Sequence, residues 1–165
     1  MRKEKLSVRK WACRYMGNSF FLCVLVAYVY VSIGISVLCR EPGSRQSLNL
    51  TLFSTFNANL QDRIYVVENL LMFIPLGILL PLVWKCLYRF PWCVLIGMTG
   101  SIAIEVMQYR LARGYSQIDD VLNNTIGTII GYWIVLIFHG CVWLGRKWHR
   151  KVQEKRKILM EQPDS

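Results

Sequence analysis

The sequence predicts an all-α integral membrane protein, a bundle of four transmembrane helices with both termini in the cytoplasm. Hydrophobic residues make up 54% of the 165 residues, whereas soluble domains contain about 45–50%. The excess is concentrated in four long blocks separated by short polar stretches, a pattern typical of membrane proteins. Lysine and arginine lie mostly before the first block, between the second and third blocks, and after the fourth. Their distribution indicates which side of the membrane each loop faces.

Four apolar blocks are candidates for membrane-spanning helices, each of which needs about 20 mostly apolar residues. The first block, residues 19–38, contains no charged residue, and neither does the fourth, residues 121–144. The third, residues 90–109, contains one. The second, residues 66–84, reaches the required length only when its polar start is included. The sequence therefore predicts four spans.

A cleaved signal peptide is the alternative interpretation of the first block, because basic residues precede it. Its apolar stretch is longer than the usual length of about 7–15 residues, and no A-x-A-like cleavage site follows it. We therefore expect a retained membrane-spanning helix.

The positive charges are divided unequally between the two sides of the predicted bundle. Fifteen of the 20 lysine and arginine residues lie in residues 1–18, in the 85–89 loop or after residue 145. The other five lie in the loops 39–66 and 110–120, which are expected outside because cytoplasmic loops carry the positive excess. The predicted domains are a basic cytoplasmic N-terminus (1–18), a four-helix transmembrane domain (19–144) and a basic cytoplasmic tail (145–165).

A net charge of +10 also invites a nucleic-acid-binding interpretation. Here the basic residues flank apolar blocks, where they set topology and contact anionic headgroups, so we expect no nucleic-acid partner. The six cysteines are scattered, with no C-x-x-C or other metal-ligand spacing. We expect no disulfide framework, no metal site and no cofactor.

Polar residues inside the blocks collect at the end of the bundle that is expected to face outward. In the third block, Glu105 and Gln108 share one helix face with Ser101, because they are spaced by four and three residues. The fourth span is expected to return beside the third through a short loop, which brings its first polar residues to the same depth. An ionisable residue inside a span marks a functional site by default. The sequence thus predicts an outward-facing polar pocket formed by Asn69, Glu105, Gln108, Asp120 and Asn124.

Other roles remain open for some of these residues. Asn69 and Asn124, taken alone, are expected to tie helices together. Asp120 is equally well explained as a cap of the fourth helix, and its neighbour Asp119 is expected to be a solvated loop residue. Supporting positions around the pocket are Arg45, Glu68 and Arg113.

Helix packing is indicated by glycine and proline. Gly127 and Gly131 form a G-x-x-x-G motif, which lets a partner helix approach closely. Pro75 and Pro81 are expected to kink the second span and open space near the pocket.

Four separated pieces of the chain resemble the VanZ family of bacterial membrane proteins. These pieces are RQSLNLTLF (45–53), ENLLMFIPLG (68–77), IEVMQY (104–109) and SQIDDVLNNTIGTIIGY (116–132). Their order and spacing are similar to those of the family, and together they extend from residue 45 to residue 132. The family pattern falls on Asn49, Phe53, Asn69, Pro75, Gly77, Glu105, Gln108, Asp120, Asn124, Thr125, Gly127 and Gly131. The resemblance adds Asn49 to the supporting positions and Gly77 to the packing positions.

The resemblance implies a protein of the bacterial plasma membrane that lowers susceptibility to teicoplanin, a lipoglycopeptide antibiotic, with little effect on vancomycin. We expect the pocket to engage the lipoglycopeptide, a membrane lipid or a lipid-linked wall precursor. A membrane-embedded enzyme that modifies a lipid or a wall precursor is an alternative, with Glu105 as general acid or base beside Asp120. A small lipid or drug transporter component, with homo-oligomerisation, is another. No catalytic nucleophile is evident in the sequence.

Overall fold

The computed structural model describes residues 19–39, 45–53 and 60–160. The predicted basic N-terminus of residues 1–18 lies outside this range, as do residues 161–165 at the end of the predicted tail. Four of the described helices are long and apolar enough to cross a membrane, which confirms the predicted all-α membrane fold with four spans. The cytoplasmic location of both termini stays a prediction.

The helices follow one another with short connections. They are α1 (Ser19–Leu38), α2 (Leu60–Val83), α3 (Phe90–Arg110) and α4 (Ile118–Met160). The last turn of α1, Gly34–Leu38, is a π-helix, and a short 3₁₀-helix, Lys85–Tyr88, joins α2 to α3. With 43 residues, α4 has about twice the number needed for one span, so it continues through most of the predicted basic tail.

Two short strands lie in loops for which the sequence predicted no regular structure. Strand β1 (Arg45–Asn49) follows α1, and strand β2 (Arg113–Gln117) connects α3 to α4. They pair in parallel, with Arg45 opposite Arg113 and Asn49 opposite Gln117. Parallel strands need a long crossover between them, and here α2 and α3 provide it.

The chain divides into two compact units, Met1–Tyr132 and Trp133–Ser165. The first unit contains α1 to α3, both strands and the first turns of α4. In the second unit, which is the remainder of α4 and the end of the chain, the Lys147 Nζ atom lies 5.0 Å from the centroid of the Trp143 ring. This cation–π contact lies where the apolar part of α4 gives way to its basic part.

Glycines allow α2 and α4 to approach to backbone contact. Gly77 lies on α2, and Gly127 and Gly131 lie on α4. A Cβ atom at any of the three would overlap a backbone carbonyl group of the facing helix. Close approach of this kind is how small residues hold helices together in lipid. Pro75 and Pro81 lie inside α2, and the helix continues past both.

Candidate functional site

The polar residues of the spans gather at one end, which we call the strand end because it adjoins β1 and β2. It comprises the last turns of α1 and α3 and the first turns of α2 and α4. On α3, Ser101, Glu105 and Gln108 are buried on one face of the helix. This face packs on α4, where the Asn124 Nδ2 atom donates a hydrogen bond to Ser101 Oγ (2.8 Å).

Glu105 connects α3 to the end of β2. Its side chain is 6% exposed, and its Oε2 atom accepts a hydrogen bond from the backbone N–H of Gln117 (3.0 Å). A buried backbone N–H group needs a hydrogen-bond acceptor, and the Glu105 side chain supplies one. The carboxylate therefore fixes the point at which β2 passes into α4.

Gln108 and Arg113 hold the C-terminus of α1. The Gln108 Nε2 atom donates to the carbonyl oxygen of Ser36 (2.9 Å). The Arg113 Nη1 atom donates to the carbonyl oxygens of Leu38 (2.8 Å) and Val37 (3.3 Å). The last carbonyl groups of a helix lack partners within the helix, and a cation is favourable beside them. Three side-chain hydrogen bonds thus dock α1 at the strand end.

Asp119 is buried, although the sequence predicted a solvated loop residue. It lies in the first turn of α4, it is 1% exposed, and its Oδ1 atom accepts from the backbone N–H of Phe53 (2.7 Å). Phe53 has a φ angle of 62°, which is uncommon for a residue other than glycine. The prediction was wrong because the turn at Phe53, distant in sequence, covers this carboxylate.

The buried polar side chains of the strand end form a group that we call the polar cluster: Ser101, Glu105, Gln108, Asp119, Asn123 and Asn124. The other predicted residues are distributed around this cluster. Asn69 and Asp120 are half-buried, whereas Glu68 is exposed on α2. Asn49 is half-buried, and its Oδ1 atom accepts from the backbone N–H of Thr51 (3.0 Å), a local turn contact. Arg45 lies in β1, opposite Arg113. The structure therefore joins Glu105, Gln108 and Asn124 to the α1–α3–α4 contacts and places Glu68 outside them.

Three buried polar atoms at the strand end have no hydrogen-bond partner in the described part of the chain. They are Gln108 Oε1, Asn123 Nδ2 and Asn124 Oδ1. Most buried polar groups in proteins are paired, and an unpaired one costs about 1–3 kcal/mol. These atoms offer two acceptors and one donor group to water or to a polar group of a ligand. Asn123 was not among the residues predicted for the pocket, because its neighbour Asn124 already accounted for the polar face of α4.

The same part of the chain gives little support for a metal centre. Within residues 19–39, 45–53 and 60–160, no group of three or more His, Cys, Asp or Glu side chains is placed to hold a metal ion. The described side chains of the strand end include amides, carboxylates, the Ser101 hydroxyl and the positive charge of Arg113.

The fold and the site define a small multi-pass membrane protein whose polar residues gather at one end of its spans. The family model VanZ/LLP1 matches residues 18–139, and the chain belongs to this family, which confirms the resemblance seen in the sequence. Over 113 residues it is 29% identical to Protein VanZ of Enterococcus faecium, in an alignment that covers 68% of this chain and 67% of that protein. No solved structure matches the chain.

Proposed function

We propose that this protein lies in the bacterial plasma membrane and lowers the susceptibility of the cell to teicoplanin. The observation that carries the proposal is the match to the VanZ/LLP1 family over residues 18–139, which includes all of the strand end. The similarity to Protein VanZ of Enterococcus faecium supports it.

The proposed orientation places the strand end outside the cell. Lys85 and Arg89 lie at the end of α2 and α3 that is opposite to the strand end, and the sequence becomes basic from Arg146 onwards. Because positively charged loops stay in the cytoplasm, both termini are cytoplasmic in this proposal. The polar cluster then lies in the outer leaflet, where a drug with an acyl chain is anchored.

The unpaired amide atoms support a binding role for the cluster. Gln108, Asn123 and Asn124 are each at most 3% exposed, and each retains hydrogen-bonding capacity. A lipoglycopeptide, a membrane lipid or a lipid-linked wall precursor each carries polar groups that match such atoms. Vancomycin has no acyl chain, so a site within the outer leaflet would spare it.

The family role is tested by drug susceptibility in a Gram-positive host. Cells with empty vector, wild-type protein, Glu105→Gln or Asn123→Leu are compared for teicoplanin and vancomycin, with expression checked by blot. Glu154→Gln is the matched control, because Glu154 is exposed on α4. We expect the wild type and this control to protect against teicoplanin alone. Absence of protection by the wild type would refute the proposed function.

Asn123→Leu separates binding from folding. Replacing an unpaired buried amide by an apolar side chain of similar size is expected to leave stability unchanged or to raise it. If Asn123 contacts the ligand, protection falls while the melting temperature does not. Protection at the wild-type level by both Asn123→Leu and Glu105→Gln would remove the polar cluster from the mechanism. Mass spectrometry of the cell lipids tests the enzyme alternative, which requires a new lipid species that depends on Glu105.

A further inference from the structure

An apolar groove lies beside the polar cluster, between α1, α2 and α3. Its volume is about 350 Å³, within the range of about 300–1,000 Å³ for small-molecule sites. Ile33, Phe73 and Met107 line the part nearer the strand end, and Leu25, Trp84 and Ile96 line the part farther from it. The groove lies entirely within the unit Met1–Tyr132.

The length of the groove matches one leaflet. Along α3 it extends from Ile96 to Met107, which corresponds to about 17 Å of helix. The hydrocarbon of one leaflet is about 15 Å thick, half of the bilayer core. An extended acyl chain that lies parallel to the spans therefore fits the groove from end to end.

Small residues on α3 leave this space open. Gly100 and Ala103 line the groove, and a Cβ atom at Gly100 would meet no atom within 4 Å. Gly77, Gly127 and Gly131 differ in this respect, because each permits backbone contact with a facing helix. Glycine inside a helix lowers stability by about 1 kcal/mol relative to alanine. At Gly100 this loss is not explained by close packing, because no atom lies within 4 Å of the position of a Cβ atom.

A cation lies just beyond the strand-end part of the groove. The Arg113 Nη1 atom contacts the carbonyl groups of Val37 and Leu38, which are about 6–8 Å further along α1 than the groove residue Ile33. The headgroup layer on each side of a bilayer is about 5–7 Å thick. The guanidinium group therefore lies at the depth of a phosphate group whose acyl chain occupies the groove.

Arg113 has the capacity to bind that phosphate. A guanidinium group has five N–H donors, and Arg113 uses only Nη1 within the described residues. Within the described residues the Nη2 and Nε groups remain for an anion, and a fork of this kind matches a phosphate with two parallel hydrogen bonds. The side chain is half-buried, so it is held in place and still reached from the headgroup layer.

We infer that the groove binds one acyl chain of an anionic phospholipid, with Arg113 on its phosphate group. The inference rests on the proposed function, for which it names the ligand class. Bound in this way, the lipid has its headgroup near the Gln108–Ser36 contact, which joins α3 to the end of α1.

The test uses the full chain in phosphatidylcholine nanodiscs with a small fraction of photoactivatable lipid that carries a diazirine on its acyl chain. Phosphatidylglycerol and phosphatidylcholine forms of the probe are compared, and cross-linked residues are mapped by mass spectrometry. Cross-links are expected on Gly100, Ala103 and Ser32 in preference to exposed residues such as Ile137. Equal labelling of all lipid-facing residues would overturn the inference.

Two glycine variants separate the groove from the general lipid surface. Gly100→Leu fills the groove and should lower labelling there about three- to ten-fold. Gly140→Leu makes the same change on an exposed position of α4 where a Cβ atom also meets nothing within 4 Å, and labelling should not change. Equal labelling of the groove in both variants would contradict the assignment.

Arg113 is tested by the preference for the anionic probe. Arg113→Gln should lower the preference for phosphatidylglycerol, which is anionic, over phosphatidylcholine, whose choline cation offsets its phosphate, about three- to ten-fold. Arg113→Lys keeps the positive charge but loses the fork of N–H donors, so it should retain only part of the preference. Labelling by the phosphatidylcholine probe reports whether the groove itself stays intact. An unchanged preference in Arg113→Gln would overturn the role of Arg113.

The susceptibility assay distinguishes this inference from the proposed function. Groove labelling that depends on Gly100 and Arg113 supports the lipid site even if the wild type gives no protection against teicoplanin, and then the proposed function alone fails. Uniform labelling by a protein that does protect against teicoplanin refutes the lipid site and leaves the proposed function standing.

Discussion

The backbone contact between α2 and α4 gives a prediction whose size follows from the structure. In Gly131→Ala, the new methyl group would overlap the carbonyl group of Ile74 and would lie 3.0 Å from the Cα atom of Gly77. Backbone atoms cannot rotate away, so the two helices must separate. Overpacking of this kind typically costs about 1–3 kcal/mol.

Helix propensity acts in the opposite direction, because alanine is favoured over glycine by about 1 kcal/mol. Gly140→Ala gains the same propensity, and its methyl group meets no atom within 4 Å. The difference between the two variants therefore isolates the packing cost. Because 1 kcal/mol shifts the melting temperature of a protein of this size by about 2–4 °C, Gly131→Ala should melt about 2–12 °C below Gly140→Ala.

The assay is thermal unfolding of both variants and the wild type in the same detergent, followed by loss of the monodisperse peak in size-exclusion chromatography. Gly140→Ala is expected to melt at or slightly above the wild-type temperature. Equal melting temperatures for the two variants would refute the argument that Gly131 permits backbone contact with α2.

Two further predictions concern hydrogen bonds at the strand end. Asp119→Ala removes the acceptor for the Phe53 N–H, so hydrogen exchange should increase in residues 50–53 and stability should fall by about 1–3 kcal/mol; unchanged exchange in this turn would contradict the contact. For Ser101 and Asn124, a double-mutant cycle with alanine should give a coupling free energy between about 0.6 and 1.7 kcal/mol, the average and the maximum found for hydrogen bonds between membrane helices. Additive effects of the two alanine variants would show that the hydrogen bond contributes nothing.

The four spans could be predicted because membrane insertion depends on local composition. The third span, predicted for residues 90–109, is α3, Phe90–Arg110. The second helix begins at Leu60, before the predicted residue 66, because its first turns are polar and hydropathy does not detect them. Similarly, α4 continues to Met160, because lysine, arginine and glutamate are strong helix formers outside lipid.

The strands and the contact of Asp119 could not be predicted in the same way. The sequences of β1 (RQSLN) and β2 (RGYSQ) have no regular alternation of apolar and polar residues, which is the local signal for a strand. Their pairing depends on the helices between them, which bring Arg45 opposite Arg113. The partner of Asp119, Phe53, also lies on the far side of these helices. Only the assembled bundle brings such positions together.

The carboxylates and the cation at the strand end have a common structural role. Glu105 and Asp119 accept hydrogen bonds from backbone N–H groups, and Arg113 donates to backbone carbonyl groups. Irregular backbone at membrane depth is tolerated only when its polar groups find partners inside the protein, and these three side chains supply partners for a helix end, a strand end and a turn.

It follows that an ionisable residue in a span can have a structural role and need not contact a ligand. Glu105 and Asp119 each accept a hydrogen bond from a backbone N–H group, whereas the amides of Asn123 and Asn124 each retain an unpaired atom. A carboxylate that anchors the backbone should affect stability and protection together. An amide that contacts the ligand should affect protection alone, which is why Asn123→Leu tests recognition more directly than Glu105→Gln.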